Sequence, residues 1–316
     1  MMRITFLGTS GSAPTKERGL SAVALEYDGQ VFMFDCGEGA QRQMMRYGVN
    51  YSKVSRIFIT HMHADHVIGI AGLARTFALY RRTAPLFIYV PEGSSKQVLA
   101  LLKFDSALIT YPIIVEEITS GKVYADRELE VRAFALNHTV RAYGYALKER
   151  DRHHFIKAKC DSFGIRREMF SQLSRKGSIR IGRRIIKLGE VTTPEPGRKV
   201  VYATDSRPAA ATARAAKGAD LLIHEATYDS SLAKLAKERK HSTAEEAARI
   251  AKRAGVMRLV VTHLSTRYRD AAVLAKDARK VFRDTDVAED GMRIEIPRRG
   301  AEKQARGRRA SAKKGP

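Results

Sequence analysis

The sequence predicts an α/β fold in which two β-sheets are covered by helices, with a basic segment inserted in the second half of the chain. Short apolar or alternating segments, typical of strands, are followed by segments with helical spacing. The same alternation begins again at Lys199, and polar residues follow several of the strands directly. A chain of 316 residues is long enough to bury a large core in such layers.

The first half begins as a meander of short strands separated by turns that contain glycine, and strands and helices then alternate. The apolar residues after residue 66 recur at spacings of three and four, which predicts a helix. We expect strands at Arg3–Leu7, Ala22–Tyr27, Gln30–Asp35, Val54–Thr60, Leu86–Val90, Ile113–Ile118 and Glu128–Ala135, and helices at Val67–Tyr80 and Ser94–Leu102.

The second half repeats this pattern after the inserted segment. Ser242 to Glu245 has the spacing of a capping box, and Gly255 is placed to end the helix that follows. We expect one domain over residues 1–297, with an inserted arm at about 149–197, and a disordered tail over 298–316. The predicted strands are Lys199–Ala203, Leu221–His224 and Met257–Thr262, and the predicted helices are Ala209–Lys217 and Ala244–Arg253.

The charge indicates a polyanionic partner, because 57 Lys and Arg residues against 34 Asp and Glu residues leave a net charge of +23. A proteome that is basic throughout would give the same total. The charge is concentrated, however: Asp151 to Glu190 holds eleven basic residues against four acidic ones. The tail after Pro297 holds eight more against a single glutamate, among Gly, Ala and Ser residues that cannot build a core.

Nothing in the sequence reads as a signal peptide or as a membrane span, which needs about 18 uninterrupted apolar residues. We therefore expect a soluble, cytoplasmic protein that makes no membrane contact. Cys36 and Cys160 are the only cysteines, and we expect both to be reduced thiols.

Four potential metal ligands, His61, His63, Asp65 and His66, lie within six residues on the loop between a predicted strand and a predicted helix. Alternate residues after a strand project to one side, so the first two can reach one ion and the last two a second. Imidazole and carboxylate groups suit zinc, and catalysis needs an open coordination position. The alternative is a surface loop that is rich in histidine by chance.

Further ligands must come from distant parts of the chain. His138, Asp205 and His263 each follow a predicted strand, and their equivalent placement favours a shared site. A lone histidine in such a place is more often a buried or capping residue.

These residues resemble the metallo-β-lactamase fold, an αββα sandwich of two mixed sheets flanked by helices, and within it the ribonuclease Z family of tRNA 3′-processing endonucleases. His-x-His-x-Asp-His alone indicates only a dinuclear metallohydrolase. The resemblance covers roughly residues 2–297 and rests also on narrower motifs: Gly8–Pro14, Phe34–Gln43, His224–Thr227, His241–Ala244 and His263–Tyr268.

The resemblance implies a zinc-dependent endoribonuclease that removes the 3′ trailer from precursor tRNA near the discriminator nucleotide. It implies that Asp65 is the general base and that His241, oriented by Glu225, donates a proton to the departing 3′ oxygen. His241 could instead cap the next helix. Manganese is the alternative to zinc. The implied metal ligands are His61, His63 and His138 for one ion, Asp65, His66 and His263 for the other, and Asp205 as a bridge.

The resemblance also implies contacts with RNA and a homodimer. Two departures weaken the detail: Gly19 replaces the usual Asn of the substrate loop, and the arm lacks the usual Gly-Pro pair. Another hydrolase of this fold, such as a phosphodiesterase, an arylsulfatase-like enzyme or a thioesterase, and a non-catalytic RNA-binding scaffold remain as alternatives. The candidate RNA contacts are Lys16, Arg18 and Arg267 near the site, and Arg166, Arg167, Arg175 and Lys176 in the arm.

Overall fold

The computed structural model describes residues 1–103 and 109–298. The chain forms two compact units. Unit 1 consists of the described residues in 1–148 and 199–296, and unit 2 consists of residues 149–198 with residues 297 and 298. The tail for which we predicted disorder lies outside the described residues, apart from Arg298. Among the described residues, no helix is both long and apolar enough to cross a membrane.

The elements alternate along the chain much as the sequence predicts. The strands are β1 (Met2–Gly8), β2 (Ala22–Tyr27), β3 (Gln30–Phe34), β4 (Val54–Phe58), β5 (Leu86–Pro91), β6 (Ile113–Ile118), β7 (Gly121–Ala125), β8 (Leu129–Ala135), β9 (Tyr143–Glu149), β10 (Arg152–Phe155), β11 (Ser178–Ile181), β12 (Arg184–Lys187), β13 (Thr192–Glu195), β14 (Lys199–Ala203), β15 (Leu221–Glu225), β16 (Leu259–Thr262), β17 (Thr285–Val287) and β18 (Arg293–Glu295). The helices are α1 (Ala40–Arg46), α2 (Ala64–Val67), α3 (Gly69–Leu79), α4 (Ser95–Lys103), α5 (Lys157–Ser162), α6 (Arg167–Lys176), α7 (Leu188–Val191), α8 (Ala210–Ala215), α9 (Ala233–Glu238), α10 (Ala244–Ala254) and α11 (Ala272–Arg279).

Unit 1 contains two mixed sheets. In the described residues, the first sheet has the order β18-β1-β2-β3-β4-β5-β6 and the second has the order β17-β16-β15-β14-β9-β8-β7. Strands β3 to β6 are parallel, as are β14 to β17, whereas β18, β1, β2 and β3 are antiparallel neighbours. The predicted architecture of two mixed sheets flanked by helices is therefore confirmed.

The core between the two sheets is built from large aromatic rings. Phe34 stacks on Tyr202 with ring centroids 5.4 Å apart, and Phe58 lies 5.3 Å from Tyr145. The Tyr145 hydroxyl donates a hydrogen bond to the backbone oxygen of Ile59 across this core, at 2.6 Å. Buried rings of this size supply much of the hydrophobic stabilisation, and their polar tips join one sheet to the other.

Helices cover the outer face of each sheet. On the first sheet, α1, α3 and α4 bury Met44, Phe77 and Val98. On the second sheet, α10 presents mostly alanine side chains, such as Ala247 and Ala251, which let the helix backbone approach β15 and β16 closely. Gly255 ends the helix with a left-handed backbone (φ 62°), as predicted. The capping box at its start is formed by Thr243 and Glu246, one residue later than the predicted Ser242 and Glu245, because Thr243 is the residue that caps the helix.

Unit 2 has a small core of its own. Strands β10 and β13 pair antiparallel, and β11 and β12 form a hairpin. The core packs Leu173 of α6 against Ile179, Ile186 and Val191.

All of the predicted strands are present, but several bounds differ. The predicted helix 67–80 corresponds to α3, which begins at Gly69, and the short helix α2 precedes it within the segment that was predicted as a loop. Strand β4 ends at Phe58 rather than at Thr60, and the Asp35 carboxylate accepts the Thr60 backbone N–H, so that group does not pair with a neighbouring strand. In unit 1 the sequence did not predict α1, α2, α9, α11, β7, β9, β17 or β18. Strand β9 is buried at nearly every position and so lacks an alternating pattern.

We expect Gly69→Ala to destabilise unit 1. A Cβ at residue 69 would lie 2.0 Å from the backbone oxygen of Gly37, so α3 and the loop after β3 would have to separate. Overpacking of this kind costs about 1–3 kcal/mol. Thermal and urea unfolding measure the effect. Gly72→Ala is the matched control in the same helix, because its Cβ would meet only the movable end of Gln41. An equal effect of both substitutions would contradict the explanation.

Candidate metal centre

The seven predicted ligands converge at one end of the two sheets of unit 1. His61, His63, Asp65 and His66 lie on the segment from β4 into α2, while His138, Asp205 and His263 follow β8, β14 and β16. Asp205 and His263 have positive φ angles of 38° and 57°, and Asp35 after β3 has one of 57°. Left-handed backbone is costly for such residues and persists where the surroundings impose it. The sharp turns bring their side chains back over the strand ends.

The first group consists of three histidines and one carboxylate oxygen. His61 Nε2 lies 2.9 Å from His63 Nδ1, and His138 Nε2 lies 3.3 Å from the same atom. Asp205 Oδ2 lies 3.7 Å from His61 Nε2 and 3.8 Å from His138 Nε2. Nitrogen atoms this close cannot all carry protons, so the group is suited to a cation that accepts their lone pairs.

The second group lies against the other oxygen of the same carboxylate. Asp205 Oδ1 is 3.1 Å from His263 Nε2 and 3.4 Å from His66 Nε2. Asp65 Oδ2 is 3.5 Å from each of these two nitrogen atoms. Asp205 therefore faces one group with each of its oxygens. A carboxylate placed in this way could offer one oxygen to a cation in each group.

An unsatisfied buried polar atom tests whether these residues fit a metal. His66 Nε2 and His263 Nε2 are both fully buried, and neither makes a hydrogen bond of good geometry, although carboxylate oxygens lie 3.1–3.5 Å away. An unsatisfied buried nitrogen costs about 1–3 kcal/mol, which coordination of a cation would remove. The donor set of imidazoles and carboxylates suits a divalent ion such as zinc. The residues present therefore fit a dinuclear metal site.

Hydrogen bonds outside the two groups fix which ring nitrogen faces inward. His66 Nδ1 donates to Asp35 Oδ2 at 2.8 Å, and His138 Nδ1 lies 3.2 Å from the Lys240 backbone oxygen. The Thr60 hydroxyl donates a hydrogen bond to Asp35. Its oxygen lies 3.0 Å from His61 Nδ1 and can accept a hydrogen bond from that nitrogen. Each bond holds a proton on Nδ1 and leaves the Nε2 lone pair for a metal.

The Glu225 carboxylate likewise helps to fix the ring orientations of His263 and His241. The Thr227 hydroxyl donates to Glu225 Oε2 at 2.7 Å and lies 3.1 Å from His263 Nδ1. Glu225 Oε1 accepts a hydrogen bond from His241 Nδ1 at 3.0 Å. Burial lowers the pKa of His241, but the Glu225 carboxylate outweighs it and raises this pKa to about 9. His241 can therefore carry a proton beside the metal groups.

An open cavity of about 510 Å³ gives access to the site. Its lining includes Ser12, Asp65, His241 and Arg267. The Arg267 guanidinium lies over the Tyr228 ring, 5.0 Å from its centroid, and donates to Ser265 Oγ. The predicted RNA contact Arg267 is thus at the cavity, and its role toward RNA stays a prediction.

The other predicted RNA contacts lie elsewhere. Lys16 is exposed on the loop after β1, whereas the Arg18 guanidinium donates to Thr9 Oγ1 and to the Ala288 backbone oxygen, so part of it serves the fold. Arg166, Arg167, Arg175 and Lys176 are exposed in unit 2, at the start and in the last turn of α6.

Sequence reasoning missed two carboxylates that support the site. Asp35 lies within a motif that carried the resemblance, so that motif could have indicated it. Asp290, near the end of the described chain, accepts hydrogen bonds from Thr9, the Gly19 backbone and Gln43, and so holds the loop over residues 9–19. No local pattern marks Asp290, because its partners are far away in sequence.

Comparison with known proteins identifies related proteins over nearly the whole chain. Residues 156–264 match the family model described as a beta-lactamase superfamily domain, and residues 2–171 match that of the anti-Pycsar protein Apyc1. Ribonuclease Z of Methanothermobacter thermautotrophicus is 41% identical over 298 residues, which cover 94% of this chain and 97% of that protein. Ribonuclease Z of Methanosarcina acetivorans is 42% identical over 303 residues, which cover 95% of this chain and 99% of that protein.

A solved structure agrees with these relatives. The short form of human tRNase Z has a TM-score of 0.70 and 29% identity, covering 94% of this chain and all of that one. The anti-Pycsar model matches only the first part of the chain, whereas the ribonuclease Z relatives match both halves of the metal centre.

We expect Asp35→Asn to weaken metal binding by about 10- to 100-fold, because His66 and Thr60 lose a charged acceptor. Asparagine tolerates the left-handed backbone at this position, so the fold should persist. Competition with a chromogenic chelator measures the affinity. Asp28→Asn, at an exposed left-handed position in the β2–β3 turn, is the control. Equal affinities of the Asp35 and Asp28 variants would show that Asp35 does not support the ligands.

Proposed function

The chain belongs to the ribonuclease Z family, and from this premise we propose that its two ligand groups hold two zinc ions that serve the removal of 3′ trailers from precursor tRNA. The enzyme is a metal-dependent hydrolase that acts in tRNA 3′ processing. The observation that carries the proposal is the Asp205 carboxylate, which faces His61 and His138 with one oxygen and His66 and His263 with the other. Manganese is the alternative metal.

The residues divide the chemistry between them. When bound, two divalent ions stabilise the charge that develops on the phosphate oxygens and make a water molecule easier to deprotonate. Asp65 accepts the proton of the attacking water. Its Oδ2 lies at the cavity and is held by a hydrogen bond from the Ser12 backbone nitrogen, at 2.8 Å. This bond and the neighbouring histidines keep the carboxylate oriented toward the reacting phosphate.

His241 supplies the proton that the leaving group needs. The departing 3′ oxygen of a ribose is a poor leaving group, so protonation in the transition state contributes about 10²- to 10⁴-fold to the rate. Glu225 holds the proton on Nδ1, which points the other ring edge toward the cavity. The alternative role of His241 as a helix cap is less well supported, because the cap of α10 is Thr243.

Unit 2 is the proposed arm that binds tRNA. Its exposed basic residues on α6 are suited to phosphate contacts, which position a folded RNA without reading its sequence. Lys16 and Arg267 are proposed to contact the RNA near the cut. We further propose a homodimer and a cytoplasmic location, as the resemblance implies.

The alternative functions have weaker support. A different hydrolase of this fold would keep the metal groups but would have no use for the basic residues of α6. A non-catalytic scaffold would not need the unsatisfied nitrogens of His66 and His263, which cost free energy unless a cation is bound.

We expect the zinc-loaded enzyme to cut a trailer-bearing precursor tRNA, leaving a 3′ hydroxyl on the tRNA and a 5′ phosphate on the trailer. Mapping of both product ends checks this, and a chelator should abolish the cut until about two equivalents of zinc are restored. His63→Ala should lose cleavage while keeping RNA binding. Tight binding by the unsubstituted enzyme without turnover would favour the scaffold instead.

We expect Arg175→Gln with Lys176→Gln to raise the apparent KM for precursor tRNA several-fold, while a small aryl phosphodiester is unaffected. Removal of each ion pair with an RNA phosphate should reduce the slope of log affinity against log salt by about 0.9. Lys252→Gln with Arg253→Gln is the matched control, since these exposed residues occupy the last turn of α10. If the apparent KM rises equally for precursor tRNA and for the aryl phosphodiester, α6 is not a tRNA-binding surface.

A further inference from the structure

Arg207 joins the loop that carries Asp205 to the segment that carries His241. Its Nη1 donates to the His241 backbone oxygen at 2.5 Å and to Glu246 Oε2 at 2.9 Å, and its Nη2 also pairs with the Glu246 carboxylate. The side chains of Arg207 and Glu246 are only 17% and 23% exposed. The guanidinium is therefore held on two sides and largely shielded from water.

The His241 segment depends on such contacts, because it lies between two helices without belonging to either. Lys240 before it has a positive φ of 60°. The His241 backbone nitrogen donates to the Ala236 oxygen at 2.8 Å, and the Ser242 hydroxyl donates to the Ser206 oxygen at 2.5 Å. Residues 206 and 207 thus hold residues 241 and 242 at two adjacent points.

Glu246 has two partners at once. One of its oxygens accepts the Thr243 backbone N–H at 2.9 Å in the capping box of α10, and the same carboxylate binds Arg207. The start of α10, the Arg207 guanidinium and the His241 carbonyl consequently form one connected network. Arg207 itself is only two residues beyond Asp205, so the network begins at the proposed metal bridge.

We propose that Arg207, oriented by Glu246, is a positioning residue that holds the His241 imidazole in line with the leaving oxygen. The inference rests on the proposed function, in which His241 donates the proton. Loss of the guanidinium frees the His241 carbonyl and lets the segment shift relative to Asp205. A misplacement of about 1 Å in a reacting group can cost about 100-fold in rate. An ordinary ion pair between partly exposed side chains would instead affect stability, and only slightly.

The test compares two substrates that differ in their need for a proton donor. Zinc-loaded Arg207→Met is assayed with precursor tRNA under single-turnover conditions and with bis(p-nitrophenyl) phosphate, whose nitrophenolate leaves without protonation. We expect the cleavage rate of precursor tRNA to fall about 100-fold, with half-saturation changed by less than about twofold. The rate with the aryl diester should fall by less than about fivefold.

Controls separate positioning from folding and from metal loss. Arg249→Met removes an arginine that pairs with Glu245 on the exposed side of α10, and it should match the unsubstituted enzyme on both substrates. Glu246→Gln keeps an acceptor for Thr243 but loses the charge that orients Arg207, so it should show the same split between substrates in weaker form. Arg207→Lys keeps one charged donor and should recover part of the loss. Zinc content and melting temperature are measured for every variant.

The outcomes separate a failure of the positioning role of Arg207 from a failure of the proposed function. If His241→Ala shows the split between substrates and Arg207→Met does not, the positioning role is wrong and the proposed function stands. If Arg207→Met lowers both rates equally or loses zinc, its role is structural and the inference fails. If His241→Ala itself affects both substrates alike, proton donation by His241 is wrong, and the inference fails with it.

Discussion

The Asp205 carboxylate is buried among imidazole rings, and much of the structure around it serves to hold that arrangement. Burial raises the pKa of this carboxyl, but His263, His66 and His61 outweigh the effect and keep it well below its ordinary value. Without a cation, two of the surrounding nitrogens make no hydrogen bond of good geometry. The two sheets hold the ends of β4, β8, β14 and β16, from which these side chains extend, in place.

Two similar pairs of side chains surround the ligands. Thr60 with Asp35 supports His61 and His66, and Thr227 with Glu225 supports His263 and His241. In each pair the hydroxyl donates to the carboxylate, so its oxygen is left to accept from an imidazole. Glu225 thereby links a metal ligand to the proposed proton donor. Arg207, two residues beyond Asp205, adds a separate link from the Asp205 loop to the backbone of His241.

Particular elements show how far the sequence could be interpreted. Strands such as β2 and β3 and the end of α10 at Gly255 depend on neighbouring residues, so local patterns predicted them, and the capping box of α10 was predicted one residue too early. Strand β9 was missed, because burial on both faces hides its period. The four-residue helix α2 was missed, because it lies within the cluster of candidate ligands and has no helical spacing of apolar residues. Sequence reasoning did not identify three supporting residues, Asp35, Asp290 and Arg207, since each acts on partners that are distant in sequence.

The sequence by itself determined the two-sheet α/β architecture, the cluster from His61 to His66, the strand-end candidates and the concentration of positive charge. Spacing along the chain is sufficient for these features because they depend on residues that are near one another. Only the tertiary structure decided which atoms meet: that Asp205 directs one oxygen to each group, and that the Nδ1 atoms of four histidines are held from outside. The physical reason is that left-handed turns and hydrogen bonds between distant segments set the direction of each side chain.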